Sequence, residues 1–107
     1  MASVAEESIK EFIERMNECG TRIEEGKIAV NLTALCNLVQ ENRETAAHVI
    51  ELFCMMAQSN PAYFQGALSI ASAYHIEFRD PSFAKMVRKK ARAAGAEDWL
   101  ERIGVLE

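Results

Sequence analysis

The stretch from Leu52 to Ile76, LFCMMAQSNPAYFQGALSIASAYHI, decides the fold: its 25 residues include no Asp, Glu, Lys or Arg. Gln58, Ser59, Asn60 and Pro61 divide it into two apolar segments, each short of the roughly 20 residues that a membrane-crossing helix needs. Asn60 followed by Pro61 is a helix start, because the asparagine side chain caps free first-turn amides and proline is preorganised for the first helical position. Phe64, Leu68, Ala71, Tyr74 and Phe78 then recur at helical spacing. Before the break, Ala46, Val49, Ile50, Phe53, Met56 and Ala57 line one side of a helix over 43–58. Solvent-facing helix surfaces usually carry charge, so an uncharged pair is either a central hairpin wrapped by its neighbours or an interface for a partner. Met55 lies one position off its inner stripe, and Tyr63, Ala67 and Ile70 border the stripe of the next helix. These four are the expected partner-binding residues.

Working outward, Ser3 with Glu6 forms a capping box, and Ile9, Phe12, Ile13, Met16 and Ile23 predict an amphipathic helix over 4–24 with Gly26 as its cap. No charge interrupts 28–40, where Ile28, Leu32, Leu35, Leu38 and Val39 predict a second, buried helix. Asn42 ends it and caps the third, and the two are expected to form a tight antiparallel hairpin. Asp80 and Pro81 repeat the start signal for a fifth helix with Phe83, Ala84, Val87, Ala91 and Ala94 on its apolar side, closed by Gly95. A short sixth helix over 97–103 places Trp99, Leu100 and Ile103 against the core. No alternating run of β-branched and aromatic residues stands between turn signals, so no strand is expected. The predicted fold is a single all-α domain over 1–107, with five to six helices in consecutive antiparallel hairpins, α-solenoid-like.

With 107 residues, 50% hydrophobic and 26% charged, the chain has the composition of one ordinary globular domain. Its net charge of −4 is unevenly placed. Residues 1–26 carry seven acids against three bases, whereas 79–95 carry six bases against Asp80 alone. Lys85, Arg88, Lys89 and Arg92 form a basic stripe at spacings of three and four. That stripe either holds an acidic peptide, a phosphate or RNA, or is a solvated face favoured by the helix C-terminal dipole. The acidity of the whole argues against nucleic acid as partner. The acidic and basic segments meet either within one chain or across the two-fold axis of a homodimer.

Catalysis requires a nucleophile, a base and an orienting group, and Cys36, Cys54, His48, His75, Glu51 and Glu77 are the candidates. None stands in a recognisable motif, and the glycines are too scattered for a phosphate loop. Cys19, Cys36 and Cys54 cannot all pair, and no two Cys or His residues have the spacing of a zinc site. Free thiols in a reducing cytoplasm, without metal or cofactor, are therefore expected. The acidic N-terminal residues do not read as a secretion signal.

Ala34-Leu35-Cys36-Asn37-Leu38, Glu41-Asn42, Ala46, Val49-Ile50-Glu51, Asn60-Pro61 and Ala67-Leu68 resemble an armadillo-type repeat. Leu35, Leu38, Glu41-Asn42, Ala46, Val49-Ile50 and Pro61 resemble the RNA polymerase tail-interacting domain, and Ala71, Tyr74, Ala84 and Ala91 resemble tetratricopeptide repeats. These resemblances imply a small right-handed helical stack that binds protein. The sequence thus leads to a non-catalytic interaction module, an adaptor or chaperone-like subunit that binds another protein or peptide. The alternative is an acidic-ligand or RNA-binding domain working through the basic helix 81–94.

Overall fold

The computed structural model describes residues 6–18, 22–24, 27–101 and 103–106. Along the chain come α1 (Glu6–Glu18), β1 (Arg22–Glu24), β2 (Lys27–Asn31), α2 (Leu32–Glu41), α3 (Arg43–Met56), α4 (Tyr63–Phe78), α5 (Ser82–Ala93), α6 (Glu97–Leu100) and β3 (Ile103–Leu106). Among the described residues the six packed helices are those expected, in number and order.

The axis of this body is α4, whose one charged residue, Glu77, stands in its last turn. Every residue from Phe64 to Ala71 is buried, and a helix turns once in 3.6 residues, so all of its sides are covered. Packed around it are α2, α3, α5 and α6. The surrounding helices are one-sided: α1 buries Phe12 and Met16, α3 buries Ala46, Val49, Ile50, Phe53 and Cys54, and α5 buries Ala84, Val87 and Ala91. Gln65, in the first turn of α4, donates to the carbonyl of Trp99 and so ties α6 to the axis, while Ser69 Oγ donates to the Gln65 carbonyl at 2.8 Å.

Three expectations are corrected. The first concerns strands. β1 pairs antiparallel with β2 in the register Arg22↔Ala29 to Glu24↔Lys27, and β2 pairs in parallel with β3 in the register Ile28↔Ile103 to Asn31↔Leu106. The first helix therefore ends at Glu18 rather than at 24, and the second starts at Leu32 rather than at 28. Asn31 closes β2 and caps α2, its Oδ1 accepting from the Ala34 amide at 3.1 Å. A two-stranded ribbon is barely stable alone. The third strand comes from the far end of the chain, which takes Ile103 out of the predicted sixth helix. Gly26, the expected cap of the first helix, lies outside the described residues.

The second correction is to the hairpin of α2 and α3. Asn42 alone connects them, its backbone amide donating to Val39 O at 3.2 Å and its Nδ2 to Leu38 O at 3.0 Å. A helical hairpin needs a connection of about two to five residues. Accordingly, α2 and α3 each make more contact with α4 than with each other. The third correction, to the binding residues, belongs with the surface.

Two expected helix ends are present. Asp80 Oδ1 accepts from both the amide (3.0 Å) and the hydroxyl (2.5 Å) of Ser82 at the start of α5. Past the end of α5, Gly95 adopts φ +70°. Its amide donates to Arg92 O at 3.1 Å, and the Ala96 amide donates to Ala91 O at 2.8 Å. This paired pattern satisfies carbonyls that the last turn leaves open.

Candidate interaction surface

The side chains singled out from sequence separate into core and surface. Ala67 and Ile70 are 0% exposed, so the expectation that they border a contact surface is overturned. Their part of the helix, 64–71, lacks charge because it is wrapped on every side, whereas His75 and Ile76 further along are exposed. Tyr63 is half-buried, its ring edge-on to Phe53 at 5.4 Å. Of the four expected residues, Met55 alone is freely exposed, at 69%.

Met55 has company that its sequence position did not announce. Met56, assigned above to the inner stripe, is the last residue of α3 and is 37% exposed. Beside Met55 is an open depression of about 440 Å³ lined by Cys54, Gln58, Phe64, Lys90, Ala93 and Ala94. The two alanines at the end of α5 make room for it, and Lys90 and Gln58 supply its polar groups. On the other flank of α3, Ile9 and Ile13 of α1 meet His48 and Leu52 in a groove of about 650 Å³, edged by Glu6, Lys10 and Glu14. On the outer side of α3, half-buried Leu52 and exposed Met55 thus form a short apolar strip between the two recesses, beside the exposed Glu44, His48 and Glu51.

Lys85, Arg88, Lys89 and Arg92 all lie exposed on α5, as expected. They do not make a uniform basic patch. Arg92 Nε is paired with Glu97 Oε1 at 3.0 Å. Arg88 and Arg92 share an open recess of about 300 Å³ with Glu97, Asp98 and Glu101. Three carboxylates against two guanidiniums leave that side without the positive field an anionic ligand needs. Lys85 and Lys89 form no ion pair among the described residues.

Burial pushes the thiols of Cys36 and Cys54 up from their ordinary value, with Glu77 adding to the shift at Cys36, and Lys90 partly opposing it at Cys54. Both are held as thiols at neutral pH, and the nucleophilic form is the thiolate. Cys19 lies outside the described residues. Among the described residues no three His, Cys, Asp or Glu side chains gather closely enough to hold a metal ion, and no helix is long and apolar enough to cross a membrane.

Sequence reasoning also missed an anchor at the start of α3. Arg43 Nε donates to the Tyr74 hydroxyl at 3.0 Å, and its guanidinium stands 4.4 Å from the centre of the Phe78 ring. Tyr74 is in turn edge-on to Phe78 at 4.8 Å and to Phe83 at 4.9 Å. This cluster pins the start of α3 to the end of α4 and the start of α5, and so sets how α3 presents its outer side.

No protein-family model, curated protein or solved structure matches the chain.

Proposed function

We propose that this chain is a non-catalytic protein-interaction module of the cytoplasm, an adaptor or chaperone-like subunit that binds protein through the outer side of α3. The exposure of Met55 beside an apolar recess carries this reading. Fully burying a methionine contributes about 1.5–3 kcal/mol, so covering the exposed part of Met55 would contribute about 1–2 kcal/mol to an association. An unbranched thioether also adapts to irregular apolar surfaces. The buried, protonated thiols of Cys36 and Cys54 favour binding over nucleophilic catalysis. In this reading α3, α4 and α5, each packed on the next, serve as a short solenoid-like stack that holds the surface rigid. The competing reading, an acidic ligand or RNA on α5, is weakened by the three carboxylates around Arg88 and Arg92.

Site-specific photo-crosslinking in the native host tests the choice. A photoreactive residue replacing Met55 should give discrete protein adducts, and one replacing Lys85 should give none. Adducts at Lys85 alone, to RNA or protein, would transfer the function to α5. Their absence at Met55 would end the present reading.

A further inference from the structure

We propose that the partner covering α3 is a second copy of this chain, docked about a two-fold axis that runs along the helix. This rests on the reading of α3 as the contact surface and adds what occupies it. His48, Leu52 and Met55 follow at spacings of four and three, which puts them along one line of α3. Helix α1 borders that line on one side, through the groove of Ile9, Ile13 and Leu52. Helix α5 borders it on the other, through the recess of Met55, Lys90 and Ala93.

The two flanks are opposite in charge. Five glutamates against Lys10 and Arg15 make α1 acidic, while on α5, where Arg88 and Arg92 are offset by the acids of 97–101, Lys85, Lys89 and Lys90 remain to make a positive flank. Within one chain they do not neutralise each other. The ion pairs among the described residues are Arg15–Glu41 and Arg92–Glu97, neither of which joins the two helices. Contact between α1 and α5 is marginal at most.

A face with a negative flank, a positive flank and the apolar pair Leu52 and Met55 between them is self-complementary. Rotation about an axis parallel to α3 lays α1 of each copy over α5 of the other, and sets Leu52 and Met55 against their own counterparts. An unrelated partner would have to carry the mirrored charge order independently, whereas a second copy has it by symmetry. Glu44 and Glu51, exposed on α3, come near their own counterparts in this arrangement. The paired α1–α5 contacts must outweigh that repulsion, so the dimer should weaken as salt is raised.

Sedimentation of the full chain across concentration, in low and high salt, should show a dimer that salt weakens. Glu7, Glu14, Lys89 and Lys90 are all exposed, so reversing them leaves the fold intact, which circular dichroism checks. Glu7→Lys with Glu14→Lys, or Lys89→Glu with Lys90→Glu, should each weaken the dimer about a hundredfold, because symmetry loses every contact twice. Mixing the two double variants should restore a dimer, since each acidic flank then again meets a basic one. A monomer at every concentration would overturn the proposal. So would a dimer indifferent to both reversals, a mixture that stays monomeric, or assembly that continues past two copies. If the chain is monomeric while Met55 still crosslinks to other proteins, the second-copy assignment fails and the interaction reading stands. Without any adduct at Met55, the interaction reading itself fails.

Discussion

Shortening Ile70 to alanine separates the two explanations for the uncharged stretch. The side chain is fully buried in α4, and the substitution removes three carbons. At about 0.8 kcal/mol per buried methylene, the transfer contribution is about 2.4 kcal/mol. The cavity left inside a helix wrapped on all sides adds to it, so a total of about 3–4 kcal/mol is expected. A domain of this size is stable by only about 5–15 kcal/mol, and its melting temperature moves by about 4–8 °C per kcal/mol. Ile70→Ala should therefore melt at least roughly 12 °C lower than the natural chain. Met55→Ala, on an exposed turn, should stay within about 0.5 kcal/mol. Urea unfolding followed by far-ultraviolet circular dichroism measures both, with an unchanged slope against denaturant showing that the unfolding process is the same. A loss below about 1 kcal/mol for Ile70→Ala would refute the account of α4 as the wrapped axis. A loss at Met55 as large as at Ile70 would place Met55 in the core and remove it from the contact surface.

Two further predictions concern the ends of α5. Gly95→Ala should destabilise by about 1 kcal/mol; an added Cβ would meet nothing within 4 Å, so the cost is that of the left-handed backbone alone, and thermal unfolding showing no loss would contradict it. Hydrogen bonds from the Ser82 hydroxyl and then its amide hold the carboxyl of Asp80 below the usual carboxylate range. A lowered native pKa gives stability that is present above the unfolded-state pKa and is lost as pH falls through the native one. The natural chain should therefore lose melting temperature relative to Asp80→Asn as pH is lowered through the acidic carboxylate range, and parallel pH profiles for the two would show that Asp80 does not act this way.

The helical body was legible because its signals are local. Asp80 before Pro81, Gly95 after the last apolar residue of α5, and the spacing of Ala46, Val49, Ile50 and Phe53 all act within a turn or two of helix. The sequence by itself thus determined that six helices form, where α5 begins and ends, and which side of α1, α3 and α5 faces inward. It left open why α4 lacks charge up to Ile76, since periodicity reports that a face is apolar and not what lies against it. Packing on α2, α3, α5 and α6 decided that Ala67 and Ile70 are core, and the end of that cover decided that Met55 and Met56 are not. The same limit explains the sheet. The short pairing of β1 with β2 has little stability alone, and its third strand comes from the opposite end of the chain, a contact invisible to any local pattern. Charge order was readable as two opposed segments, but only the tertiary arrangement, with α1 and α5 on opposite flanks of α3, put both on one face without letting them pair. Ranges of a few residues carry capping and periodicity, whereas burial, strand partnership and the shape of a surface depend on elements that the fold alone brings together.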